Sequence, residues 1–326
     1  VIILARPYIF VTRKCSEQQL QPLYEIADVE MWSEEETPCP RDLLLEKAKK
    51  ADALLTMLSD SIDKQLLDGA GQLKVVANLA VGYDNIDVHY ANDLGIVVCN
   101  TPDVLTDTTA DLTFGLILAT ARRLLEAADY VKDNRWKSWG PLLLAGHDIH
   151  HKTIGIVGMG KIGQAVAKRA TGFDMKILYH NRTRNEEAET KLGAIFSTFD
   201  ELISNADFVV CLTPLTDETR ELFNKDAFMK MKNSSIFVNA SRGAVVNEVD
   251  LYEALTNNEI AGAGLDVFLQ EPIESSHPLV GLHNVVALPH IGSASLETRY
   301  TMMNLCADNI ASVLKGNMPK TKVIVK

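Results

Sequence analysis

Three ionisable residues stand where a reaction could use them. Arg242 follows the apolar run Ile236-Phe237-Val238, within Asn239-Ala240-Ser241-Arg242-Gly243. Glu271 closes the segment Asp266-Val267-Phe268-Leu269-Gln270-Glu271, just before Pro272, and His290 stands in Pro289-His290-Ile291-Gly292-Ser293. Adding hydride to a carbonyl that neighbours a carboxylate needs three groups of these types. A guanidinium grips the carboxylate through two parallel hydrogen bonds. An imidazolium gives the carbonyl oxygen its proton near neutral pH. A carboxylate beside the imidazole fixes the ring and favours its charged form. Arg242, His290 and Glu271 match those roles in turn. Taken singly, each reads as an ordinary surface or structural residue; the combination gains weight beside a source of hydride.

Such a source is encoded between Lys152 and Arg184. Thr153-Ile154-Gly155-Ile156-Val157 is a short, β-branched apolar run that reads as a buried parallel strand. Gly158-Met159-Gly160-Lys161-Ile162-Gly163 follows, then a helical pattern from Gln164 to Ala170 and a second strand from Met175 to Tyr179. A G-x-G-x-x-G between strand and helix is the dinucleotide-binding arrangement. Gly158 permits the tight turn, Gly160 lets the backbone approach a pyrophosphate, and Gly163 lets helix and strand pack closely. The helix start, with Lys161 and Ile162, offers unpaired N–H groups to the phosphates. After the second strand, an NAD site carries an acidic residue for the adenosine ribose. Here Asn181 occupies that place, followed by Arg182, Thr183 and Arg184. Guanidinium groups attract a 2′-phosphate where a carboxylate would repel it. The expectation is therefore NADP(H) in preference to NAD(H), with NAD(H) use possible; the alternative is a solvated arginine pair on a surface loop.

These segments need a framework. A chain of 326 residues, 47% hydrophobic and 23% charged, has the composition of a soluble globular protein with room for two domains. Its net charge of -11, with no basic patch, argues against a nucleic-acid surface. Five scattered cysteines (Cys15, Cys39, Cys99, Cys211, Cys306) without a C-x-x-C pattern suggest reduced thiols in the cytoplasm and no metal site. The apolar stretch from Val1 to Ala5 is too short for a secretory leader. Leu112 to Ala121 is too short to span a bilayer.

Strands are expected at 8–12, 28–32, 53–58, 74–80 and 96–99, then at 153–157, 175–179, 208–212, 235–239, 263–267 and 285–288. Helical patterns lie between them, including 16–25 despite Pro22, 43–50 capped by Asp42, one long helix over 108–134, and 296–314. Val323 to Val325 is expected to return to the first domain. Strands alternating with helices specify α/β domains with parallel sheets. Trp136 and Trp139 lie in the loop Arg135 to Pro141, either anchoring it to a core or forming a lid or subunit contact.

Taken together, these motifs resemble the D-isomer-specific 2-hydroxyacid dehydrogenases, and most of all their glyoxylate/hydroxypyruvate reductase branch. The matching blocks are Val81-Gly82-Tyr83-Asp84-Asn85-Ile86-Asp87, Thr106 to Leu112, the glycine motif, Leu212-Thr213-Pro214, N-A-S-R-G, Asp266 to Pro272, and P-H-I-G-S. The resemblance implies two doubly wound parallel-sheet domains. A Rossmann dinucleotide-binding domain (102–291) would be inserted into a flavodoxin-like substrate domain made of 1–101 and 292–326. It implies that the N–H groups of Val81 and Gly82 join Arg242 on the substrate carboxylate. Asp266 would hold the nicotinamide carboxamide, and Thr109, Thr213, Pro214, Ala240 and Gly292 would line the dinucleotide. A homodimer is also implied, in which Trp139 approaches the neighbouring subunit's site. The rival readings are a 2-ketogluconate reductase within the same enzyme class, and a dinucleotide-sensing corepressor outside it.

Overall fold

The computed structural model describes residues 6–324; the expectations on Val1–Ala5 and on Val325 lie outside them. The chain divides into two compact units. One takes the described residues up to Leu105 and those from Ala294 onward; the other is Thr106–Ser293.

The first unit is built on five parallel strands, β1 (Tyr8–Val11), β2 (Asp28–Met31), β3 (Ala53–Thr56), β4 (Val75–Asn78) and β5 (Val97–Cys99), in the order β2-β1-β3-β4-β5. β3 and β4 are buried at every position, as their apolar runs require. Helix Glu17–Ile26 runs through Pro22 and buries Leu20 and Leu23. Helix Leu296–Leu314 covers the sheet beside it, with Met302, Cys306 and Ile310 buried. The end of the segment after β5 is tied to this unit: Thr101 N–H donates to Ala80 O (2.8 Å) and Asn100 N–H to Thr321 O (3.3 Å). Asp42 does not cap its helix: Arg41–Ala48 starts after Pro40, which places Asp42 in the first turn. Val323 does return to this unit, its N–H donating to Val98 O (2.8 Å).

The second unit holds seven parallel strands: β6 (Thr153–Val157), β7 (Lys176–His180), β8 (Ile195–Phe196), β9 (Phe208–Cys211), β10 (Ile236–Asn239), β11 (Gly262–Leu265) and β12 (Val285–Ala287). Their order is β12-β11-β10-β9-β6-β7-β8, so the winding reverses at β6. Both faces are packed. Ile154, Ile156, Val210 and Val238 face one core; Val157, Val209, Phe237 and the rings of Phe223 and Phe228 build the other. Each fully buried side chain of this size contributes about 1.5–3 kcal/mol. The two-residue strand β8 is too short for any sequence pattern to mark.

The expected long helix is two. Thr106–Ala121 is largely buried, and the chain breaks at Arg123, which adopts φ 53° before helix Leu124–Lys132. Arg123 grips Glu126 through two hydrogen bonds of 2.8 Å, an exchange of helix continuity for a bidentate ion pair. The second helix buries no residue. Beyond it, Trp136 and Trp139 are 59% and 80% exposed, which removes the reading that they anchor a core. No described helix is long and apolar enough to cross a membrane.

Candidate active site

In the seven-stranded unit, the candidate residues follow the carboxyl ends of parallel strands: Gly158 after β6, Asn181 after β7, Thr213 after β9, Arg242 after β10, Asp266 after β11 and His290 after β12. Ligands of open α/β sheets bind at that end, near the strand where winding reverses.

The glycine turn has the space a pyrophosphate needs. Gly158 has φ 105°, and a Cβ there would lie 2.7 Å from Leu212 C and from Thr213 N, so the start of the Thr213-Pro214 segment rests on it. A Cβ on Gly163 would lie 2.3 Å from Gly158 O. Gly160 differs, since nothing lies within 4 Å of its Cβ position. It is also the N-cap of helix Lys161–Thr171 and offers that helix no side-chain cap. Open space over Gly160, at the positive end of an eleven-residue helix, fits a dinucleotide phosphate.

The segment after β7 is tied back to this turn. Met159 N–H donates to Asn181 Oδ1 (2.7 Å), and Asn185 Nδ2 donates to Met159 O (2.9 Å). Arg182 and Thr183 are exposed. Arg184 is engaged by Glu189, Nε to Oε1 at 3.0 Å and Nη2 to Oε2 at 2.6 Å. Tyr179 Oη also donates to Glu189 Oε1 (2.6 Å).

The ionisable centre is compact. His290 Nδ1–H donates to Glu271 Oε2 (2.7 Å), and Phe268 N–H donates to Glu271 Oε1 (3.0 Å). Burial pushes the Glu271 carboxyl up, but the hydrogen bond and charge of His290, the Phe268 N–H and the Arg242 charge pull harder and hold it below its ordinary value. His290 has φ 53°, a left-handed conformation uncommon outside glycine. The turn is pinned by the buried Asp266, whose Oδ1 accepts from Ile291 N–H (2.8 Å). Burial holds the Asp266 carboxyl above its ordinary value, against the pull of the Ile291 N–H, the His290 charge and the Gly292 N–H. A Cβ on Gly292 would lie 3.2 Å from Asp266 Oδ2 and 3.3 Å from Thr109 Cγ2, so both side chains crowd against Gly292.

Arg242 is presented by a side-chain turn. Buried Asn239 accepts from Ser241 N–H (3.0 Å) and Ser241 Oγ (2.8 Å), and its Nδ2 donates to Arg242 O (3.0 Å). Half-buried Ala240 lies inside that turn, and Arg242 Nη1 donates to Ser241 O (2.9 Å). Sequence reasoning gives Asn239 no role of its own; its position two residues before a serine, the Asx-turn spacing, is the signal that could have found it.

Val81 and Gly82 belong to the five-stranded unit, after β4. Ala80 O accepts from Thr101 N–H (2.8 Å), and Val81 O accepts from Asn100 Nδ2 (2.8 Å). A trans peptide sets its N–H opposite its C=O. The N–H of Val81 therefore points away from Thr101, and that of Gly82 away from the Asn100 amide. Asn78 supports the same loop, donating to Gly82 O (3.1 Å) and to Asn85 Oδ1 (3.1 Å). A cavity of about 240 Å³ lined by Thr120, His147, His283 and Asn284 lies at the opposite, amino ends of β10–β12 and includes none of these groups.

Residues 114–292 match the family model for the D-isomer specific 2-hydroxyacid dehydrogenase, NAD binding domain. The chain is 49% identical over 322 residues to the glyoxylate reductase of Thermococcus kodakarensis, covering 98% of this chain and 96% of the relative. A solved protein of Thermus thermophilus superposes with a TM-score of 0.91 at 42% identity, covering 97% of this chain and 100% of that one. The NADPH-dependent glyoxylate/hydroxypyruvate reductase of Sinorhizobium meliloti, in complex with NADP and malonate, gives 0.86 at 33% identity, covering 98% and 97% of the two chains.

Proposed function

Because the chain belongs to the D-isomer specific 2-hydroxyacid dehydrogenase family, we propose that it reduces a short 2-keto acid, glyoxylate or hydroxypyruvate, to the D-2-hydroxy acid, with NADPH as its preferred reductant. The observation that carries this reading is the 2.7 Å contact between His290 and Glu271 behind the strand ends that hold Arg242 and the glycine turn.

Gly158, Gly160 and Gly163, with the first amides of helix Lys161–Thr171, are the proposed pyrophosphate site. Thr109, Thr213, Pro214, Ala240 and Gly292 are its proposed lining, and Asp266 the acceptor for the nicotinamide carboxamide. When bound, the reduced nicotinamide supplies the hydride. Arg242 grips the substrate carboxylate through a two-pronged hydrogen bond. With Nδ1 engaged by Glu271, His290 keeps Nε2 for the substrate and gives its proton to the carbonyl oxygen. Glu271 stays ionised and holds the ring by Nδ1.

Preference for NADPH rests on the lack of an acidic residue at Asn181 and on the exposed Arg182. Arg184 already carries a carboxylate in both prongs, so Arg182 is the chief proposed partner of a 2′-phosphate. The NADPH-dependent relative supports the same choice. Homodimer formation through residues 124–143 is supported by exposed Leu124, Val131, Trp136, Trp139 and Leu142, an apolar strip that a second copy would cover. Five buried thiols support a reducing, cytoplasmic setting.

The test is oxidation of NADPH and of NADH with glyoxylate, hydroxypyruvate and 2-ketogluconate. The expected result is higher kcat/KM with NADPH and with the two short acids. Equal or better efficiency with NADH overturns the cofactor choice, and preference for 2-ketogluconate overturns the substrate choice.

A further inference from the structure

We propose that Glu248 is a positioning residue of this site, tying the loop that carries Glu271 down onto the segment that carries Arg242. The inference rests on the catalytic reading above.

Arg242 leads into the turn Gly243–Val245 and then into helix Glu248–Thr256, capped by Asn247, whose side chain accepts from Asp250 N–H (3.1 Å). The loop between Asp266 and Glu271 crosses directly over Gly243. A Cβ there would lie 1.8 Å from Phe268 C and 2.3 Å from Leu269 N, so the crossing is backbone on backbone. At the crossing two successive amides meet two carboxylates. Phe268 N–H donates to Glu271 Oε1 (3.0 Å), and Leu269 N–H donates to Glu248 Oε1 (2.7 Å).

The Leu269 side chain is 62% exposed, so this residue meets the helix through its amide, while its neighbour Phe268 packs in the core with Leu251 and Leu255. Glu248 is itself held. Its side chain is 14% exposed, and its second oxygen lies 3.4 Å from His277 Nε2, while His277 Nδ1 accepts from Leu279 N–H (3.3 Å). Fixing the Leu269 N–H fixes the plane of the 268–269 peptide. The neighbouring plane carries the Phe268 N–H that orients Glu271, and Glu271 orients His290. Asp266 and Arg242 are the other charges that face this pair. Glu248 thus reaches the proton donor through three hydrogen bonds and the intervening peptide, without touching it.

The experiment compares the full-length protein with Glu248→Ala and Glu248→Gln. Gln keeps an oxygen for the Leu269 amide; Ala does not. Hydrogen exchange across 266–272 is expected to speed up in Glu248→Ala and to return near the wild-type rate in Glu248→Gln. Reductase kcat is expected to fall about tenfold in Glu248→Ala, the loss expected for one hydrogen bond to a charged group. KM for the keto acid is expected to hold steady, and the Gln variant to recover most of the activity. Unchanged exchange or unchanged kcat in Glu248→Ala overturns the proposal, as does a Gln variant as impaired as Ala. If circular dichroism shows Glu248→Ala unfolded, Glu248→Ser carries the same expectations. A wild-type protein without reductase activity refutes the catalytic reading, while the exchange comparison still decides the tether.

Discussion

Replacing Glu271 by Gln removes one charge and leaves the volume of the side chain unchanged. The wild-type contact joins His290 Nδ1 and Glu271 Oε2 at 2.7 Å, which sets the two charge centres roughly 4 Å apart. Two unit charges at that separation interact by about 4 kcal/mol at the effective dielectric of a protein surface. The two side chains are 26% and 36% exposed, so water screens much of this, and about 1–2 kcal/mol is left to hold the ring against the carboxylate. The Gln amide also competes to donate to Nδ1, which sets the wrong tautomer for giving a proton from Nε2. The assay is steady-state keto-acid reduction in Glu271→Gln and wild type across the pH range, with the dinucleotide saturating. Turnover should fall by about 10–100-fold. Turnover equal to wild type would show that Glu271 does not hold the imidazole for proton transfer.

Three further outcomes follow from the geometry. Gly163→Ala puts a methyl 2.3 Å from Gly158 O, so it should lower the melting temperature by the equivalent of about 1–3 kcal/mol and abolish dinucleotide binding; Gly160→Ala, with nothing within 4 Å, should bind poorly at unchanged melting temperature. Glu271, depressed in the folded state, adds stability that is complete above its ordinary value and is lost as pH falls through the lower folded one. The stability gap between wild type and Glu271→Gln in chemical denaturation should therefore close in acid, and a gap that grows there refutes the assignment. Arg182→Ala should raise KM for NADPH about tenfold with NADH unaffected, and equal changes for both would remove it from the phosphate site.

Both sheets were legible because buried parallel strands are continuous apolar runs between turn signals, and β3, β4, β9 and β10 are buried along their whole length. The glycine motif was legible because its spacing is local, although the contacts that demand Gly158 come from Leu212 and Thr213. The supporting side chains were not. Glu248 meets Leu269 across 21 residues and Asn100 meets Val81 across 19, through backbone bonds that leave no periodic trace. The helix break at Arg123 was hidden because two adjacent arginines are compatible with a continuing helix, and what opposes it is the Arg123–Glu126 pair together with φ 53°. The arginine loop was half legible. Its charge was plain in sequence, but the Glu189 carboxylate that occupies Arg184 was not paired with it until the helix Glu186–Leu192 placed the two together.

The most direct test is NADPH oxidation on addition of glyoxylate or hydroxypyruvate, by the wild-type protein and by His290→Asn, with nucleotide binding measured in parallel. The account predicts turnover to the D-hydroxy acid in the wild type and a loss of about 10²–10⁴-fold in the variant, at near-equal nucleotide affinity. Equal turnover by the two proteins contradicts it.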